Sequence, residues 1–265
     1  MEKTRVIGIV SGKGGVGKTT VVSNLGVALA KHFKKKVVIV DANITTSHLG
    51  LFLGIYYSPI TLNKLLKAGR KKLKLKDLLN QPLENLTVVT SSLSVRDLKG
   101  VDILKLKKVI DKIKRVLKPD FILIDSAPGL GREALATLKA ADEILFVSNP
   151  FIPAAMDIIR VNEVAKDLKT SSIGIVLNMV RNEPYELTPE EIEQFVELPI
   201  IEMIPMDKNV LKALALKAPV VDKFPDSRAS KAFIRLAGKL CGEQIEFEES
   251  IFDSIKNWFS KLFKK

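Results

Sequence analysis

Residues 11–20 read Ser-Gly-Lys-Gly-Gly-Val-Gly-Lys-Thr-Thr, and this run constrains the chain more than any other. Gly12, Gly17, Lys18 and Thr19 satisfy the spacing G-x-x-x-x-G-K-[ST], with Gly14, Gly15, Val16 and Thr20 completing the loop. Glycines let successive backbone N–H groups turn toward one anion without Cβ clashes, and a helix beginning at the end of the loop adds its positive end. Lys18 can reach β- and γ-phosphate oxygens, and the Thr19 hydroxyl is a hard ligand suited to Mg2+. The flanks supply the setting such a loop requires. Residues 5–10 form a short β-rich run, and residues 19–31 place Val22, Leu25 and Leu29 at helical spacing. Strand, glycine loop and helix make one supersecondary unit, which commits the chain to an α/β fold.

The rest of the chain repeats that alternation. Strand-like runs are expected at 37–40, 86–90, 121–124, 143–148, 172–177 and 200–204, and helical patterns at 104–117, 132–140, 154–168, 189–195 and 227–240. Several strands are apolar throughout, as strands covered on both faces are. The predicted architecture is a doubly wound, mainly parallel sheet flanked by helices, with one domain over 1–241. Ligands in such sheets bind beyond the carboxyl ends of the strands. Phe121-Ile-Leu-Ile-Asp125 ends there in a carboxylate that can hold Mg2+ or a water bound to it.

Composition narrows the class. The chain has 265 residues, 46% of them hydrophobic, which is ample for a large core and excludes wholesale disorder. No apolar stretch is long enough to span a membrane, and the chain passes from Met1 straight into a strand, so a cytoplasmic location is expected. Cys241 is the sole cysteine, which excludes an intrachain disulfide or thiolate cluster. The formal charge is +12, and Lys64, Lys67, Arg70, Lys71, Lys72, Lys74 and Lys76 oppose only Asp77 in one segment. Such a segment suits nucleic acid or anionic lipid, and equally a solvated surface; without aromatic residues, any DNA contact there would be to phosphates alone.

Lys13 inside the loop gives the string Lys-Gly-Gly-Val-Gly-Lys-Thr-Thr, which resembles the deviant Walker A loop of the MinD/ParA family of dimerising ATPases. The resemblance covers nearly residues 4–240 and includes Asn149-Pro150. It implies ATP and Mg2+ as ligands, a homodimer formed with ATP, and a role for Lys13 in reaching the nucleotide of the partner subunit. It further implies that Asp125 is the Walker B carboxylate, that Gly129 in Ser126-Ala-Pro-Gly129 belongs to switch II, and that Asp41 positions the metal. Asn178 and the Pro205-Met206-Asp207 segment match family positions that hold adenine, although each is also an ordinary residue for the end of a strand. The chain departs from the family at Asn43, where a second switch I aspartate is usual. An amide can accept a hydrogen bond from the attacking water but cannot take its proton, so slow hydrolysis is expected, with an ATP-locked switch as the alternative. The lack of further cysteines sets aside the cluster-carrying members of the family.

The last sixteen positions carry a different signal. Ile251, Phe252, Ile255, Trp258, Phe259, Leu262 and Phe263 form one apolar stripe at helical spacing, opposite Asp253, Lys256, Asn257, Lys261 and Lys264. An acidic stretch, 242–249, precedes them and reads as a tether. An aromatic stripe with terminal lysines suits a helix lying at the surface of an anionic membrane, and the pattern resembles the end of MinD-branch proteins. Membrane association on the cytoplasmic face is therefore expected, with regulatory or cargo proteins as further partners. DNA binding of the ParA type through Lys64–Lys76 is the alternative.

Overall fold

The computed structural model describes residues 3–67 and 80–247. The basic positions from Arg70 to Lys76, and the whole apolar stripe from Ile251 to Phe263, lie outside the described residues. Among the described residues eight strands form one sheet: β1 (Arg5–Val10), β2 (Val37–Asp41), β3 (Asn80–Leu83), β4 (Leu86–Val89), β5 (Phe121–Asp125), β6 (Glu143–Ser148), β7 (Ser171–Val180) and β8 (Ile200–Pro205). Their order is β3-β4-β2-β5-β1-β6-β7-β8, and every pairing is parallel except β3 with β4. The doubly wound expectation holds, with one edge hairpin added. β3 reads Asn-Gln-Pro-Leu, and its proline is tolerated because an edge strand has one side without a neighbour.

Helices cover both faces. On one lie α1 (Lys18–Lys31) and α10 (Arg228–Cys241), which pack against each other, with α9 (Val220–Lys223) against both. Beneath them Leu25, Leu29, Phe233 and Leu236 meet Ile7 and Ile9 of β1 with no solvent exposure. Burying a side chain such as Phe233 contributes about 2–3 kcal/mol, so this layer holds α1 firmly behind the loop it follows. The opposite face carries α3 (Leu62–Lys67), α4 (Leu106–Leu117), α5 (Arg132–Ala140), α6 (Ile152–Asp167) and α7 (Pro189–Val196) over two further clusters, which take Val6 and Val10 from β1. Alternate residues of β1 thus serve opposite faces, as the pleat requires. α7 starts as its sequence dictates: Thr188 and Glu191 form a reciprocal capping box, with Pro189 in the first turn. Two short helices, α2 (Leu49–Phe52) and α8 (Lys208–Ala215), lie outside the main alternation.

The described chain continues past α10 to residue 247. Gly242 closes α10 in the left-handed conformation, and Glu243 donates its N–H back to the Gly238 carbonyl. The chain then doubles back along α10: Ile245 and Phe247 pack on the α1–α10 core, and the Lys231 ammonium lies 5.9 Å from the centre of the Phe247 ring. The described part of the expected tether, residues 243–247, thus lies against the domain. Ile245 and Phe247 alternate with Glu246, so an extended chain turns its apolar side to the domain and its acidic side outward.

Candidate nucleotide site

The loop from Gly12 to Thr20 joins β1 to α1 at the carboxyl end of the sheet. It is closely packed. A Cβ on Gly12 would overlap Asp157 of α6, and Gly17, at φ 91°, would meet the Asn178 amide with any side chain. Both positions therefore demand glycine for space, and Gly17 also for backbone conformation. Lys18 is 7% exposed; its Nζ donates to Ser11 Oγ at 2.7 Å, and that hydroxyl donates to the Lys13 carbonyl at 2.7 Å. Burial lowers the Lys18 pKa, while the nearby charge of Asp125 opposes that shift. Lys13 itself is exposed, and among the described residues no carboxylate pairs with it.

Asp41 and Asp125 are register partners at the ends of β2 and β5 and are fully buried, at 0% and 1% exposed. Asp125 Oδ2 accepts from the Thr19 hydroxyl at 2.7 Å, whereas its Oδ1 has no partner. Asp41 accepts from the Ser47 hydroxyl at 2.5 Å and from the Asn43 N–H at 3.1 Å. Burial, reinforced by the charge of Asp125, pushes the Asp41 carboxyl up to about 8, and burial pushes Asp125 up to about 6. Two adjacent buried carboxyls, one with an unsatisfied oxygen, and a threonine hydroxyl are a hard-oxygen set suited to a divalent cation. The residues fit Mg2+. No group of three or more His, Cys, Asp or Glu ligands occurs among the described residues, so the remaining ligands must be water and phosphate, as is usual for this ion.

The sign of these shifts predicts a pH dependence. A carboxyl whose folded pKa lies above its unfolded value of 3.8 adds stability at low pH and loses it as pH rises through the folded value. Metal-free protein should thus lose thermal stability as pH rises from about 4 to about 8. Asp41→Asn should flatten that decline in a melting series, and an unchanged slope would show that the pair does not govern it.

A cavity of about 450 Å3 runs from the loop to the far side of α8, and Gly14, Gly15, Gly17, Lys18, Thr19, Thr20, Asn43, Asn178, Pro205, Met206 and Asp207 all line it. Gly12, Lys13, Val16, Asp41, Asp125 and Gly129 do not; Gly129 instead donates its N–H to the Ser11 carbonyl, tying the 126–131 loop to the start of the glycine loop. Asn43 lines the cavity, but its amide is folded into its own loop: Oδ1 accepts from Thr46 Oγ1 at 2.9 Å, and Nδ2 donates to the Thr46 carbonyl at 3.2 Å. Asn178 Nδ2 donates to the Val16 carbonyl at 2.9 Å, bracing the glycine loop. Asp207 is engaged through both oxygens. It caps α8 by accepting from Asn209 N at 2.8 Å, and it accepts from Ala229 N in the first turn of α10 at 3.1 Å. The far end of the cavity is apolar, built from Phe52, Met179, Met206, Val210, Leu211 and Leu214. Except for Met206, sequence reasoning did not find these, nor Ser11, Thr46 or Ser47. Leu211 and Leu214 carried a usable signal, since they follow an Asp cap at helical spacing.

The family model described as ParA, NUBPL iron-transfer P-loop NTPase, matches residues 2–241. The chain belongs to the ParA/MinD family of P-loop NTPases. Within the family it is 37% identical to an uncharacterised ATP-binding protein of Methanocaldococcus jannaschii, over 97% of this chain and 95% of that protein. The solved structure of septum site-determining protein MinD from Pyrococcus horikoshii, complexed with Mg-ADP, is similar with TM-score 0.83 and 35% identity, covering 89% of this chain and 96% of that one. The MinC:MinD cell division complex of Aquifex aeolicus contains a chain similar with TM-score 0.80 and 30% identity, covering 93% and 99%. The iron-transfer part of the family description has no counterpart in thiol chemistry here, because a chain with one cysteine has no thiolate pair.

Proposed function

We propose that this protein is a MinD-like switch. It binds Mg·ATP, dimerises with it, docks on anionic membrane at the cytoplasmic face, positions other proteins there, and hydrolyses ATP slowly. The observation that carries the reading is the buried Asp41–Asp125 pair, with an oxygen unpartnered among the described residues, set beside a glycine loop and an exposed Lys13. In this reading Lys18 leaves Ser11 for the β/γ-phosphate oxygens, since its buried ammonium has only a neutral hydroxyl to lose. Thr19, Asp41 and Asp125 hold Mg2+, which would neutralise charge developing on the transferred phosphoryl group. Lys13 adds a positive charge to the partner subunit's nucleotide. The apolar end of the cavity receives the base, with the Asn178 Oδ1 and backbone groups at 205–207 as polar contacts. The deciding experiment compares ATP turnover and sedimentation with and without anionic vesicles. A protein that neither hydrolyses ATP nor binds vesicles with ATP would overturn the reading.

In this reading Asn43 orients the attacking water, and its bonds to Thr46 would slow turnover because the amide must first leave its own loop. Asn43→Asp should raise steady-state turnover about ten-fold, since a carboxylate aligns water and loses the Nδ2 bond that holds the side chain back. Turnover that stays level, with ATP affinity intact, would assign the water to another group.

A further inference from the structure

We infer that Thr45 and Glu133 form a clasp that makes the loop after β2 and the helix after β5 respond to nucleotide as one unit, with Glu133 as a positioning residue for turnover. This rests on the proposed ATPase reading. The Thr45 hydroxyl donates to Glu133 Oε1 at 2.5 Å. Glu133 stands in the first turn of α5, where the helix end favours a negative charge, and the bond from a hydroxyl to a carboxylate is charge-assisted.

The surroundings show why this one bond matters. The other side-chain bonds of the 42–48 loop point inward: Asn43 closes on Thr46, and Ser47 closes on Asp41. Beside Thr45 lies an open groove of about 420 Å3, lined also by Ile44, Ile103, Pro128, Arg132 and Glu133. Apolar packing joins the loop to the domain from beneath, where Ile44 is buried in one cluster with Ile103, Ala136 and Ala140, and the Thr45–Glu133 bond adds a polar tie on the exposed rim. Two residues back along the loop sits Asn43, which lines the nucleotide cavity; one turn before α5 sits Gly129, which bonds the glycine loop through its N–H. The clasp thus joins two segments that each touch the nucleotide site separately. Losing it leaves both segments intact and the cavity formed, but lets Asn43 drift from the place the 126–131 loop defines. A misplaced water-orienting group lowers the chemical step and leaves ground-state binding nearly untouched.

The test uses the full chain with Thr45→Val, Thr45→Ser, Glu133→Ala and the Thr45→Val/Glu133→Ala double variant. Thr45→Val and Glu133→Ala should each lower kcat about five-fold with KM for ATP within about two-fold, and Thr45→Ser, which keeps the donor, should recover turnover. The double variant should match the worse single rather than the product of the two. Hydrogen exchange supplies a readout that needs no hydrolysis. Mg·ADP should slow exchange in both 42–48 and 126–138 of the parent protein, and in Thr45→Val the response of one segment should vanish while the other remains. Multiplying losses, a Thr45→Ser variant as impaired as Thr45→Val, or an intact two-segment response in Thr45→Val would each overturn the clasp. Absence of ATP turnover in the parent protein would instead overturn the ATPase reading, and the exchange result would still judge the clasp.

Discussion

Lys18→Ala should reduce Mg·ATP affinity by about a hundred-fold or more and bring turnover to background, because it removes a buried ammonium from the phosphate end of the cavity. The fold should survive. Lys18 bonds only Ser11 Oγ through its ammonium, and a serine hydroxyl left without it still donates to the Lys13 carbonyl. Calorimetric titration with Mg·ATP and a melting curve separate the two effects. Lys13→Ala is the contrasting case. Its side chain is exposed and lines no part of the cavity, so nucleotide affinity should persist while ATP-dependent dimerisation is lost on a sizing column. A Lys13→Ala protein that dimerises normally with ATP would remove that lysine from the subunit interface.

Deleting residues 250–265 should abolish sedimentation with anionic vesicles and leave ATP binding unchanged. The cut falls beyond Phe247, so residues 243–247 stay against the domain and the domain keeps its packing. Trp258 is the chain's one tryptophan, and in the full-length protein its emission should shift to the blue on adding anionic vesicles. Lys256, Lys261, Lys264 and Lys265 contribute about 1 kcal/mol each near such a surface, so neutral lipid should give little shift. Binding should strengthen with ATP as two copies of the helix act together. A truncated chain that unfolds, or a Trp258 already shielded without lipid, would assign the segment to the core.

Much of this arrangement was legible because it depends on periodic or invariant local chemistry. The β1–loop–α1 unit, the apolar β5 ending in Asp125, and the boundaries of β6 and α5 follow from runs that the sheet must bury or that phosphate must meet. What escaped lacks such local pattern. β3 is four residues of an edge hairpin, with no alternation to detect. α8 buries only Ala213, so its leucines face the cavity rather than a core and give a weak stripe. The engagement of Asn43 with Thr46, of Lys18 with Ser11, and of Asp207 with two helix starts depends on side-chain partners that the fold selects. Sequence reasoning placed Asp207 at the nucleotide, and the structure places it on the cavity wall while giving both its oxygens to backbone N–H groups.

The location of β1 between β5 and β6 bears on how the protein is made. Arg5 pairs with Phe121 and Val10 with Phe146, so the strand that carries the glycine loop waits for partners far along the chain. At ordinary ribosomal speeds that wait lasts roughly ten seconds. Throughout it, α10, which packs on α1 in the finished domain, has not been made, so the α1 face buried at Val21, Val22, Leu25 and Leu29 waits for that cover. A nascent or prematurely terminated chain ending before β6 would contain every letter of the phosphate-loop motif and hold no nucleotide.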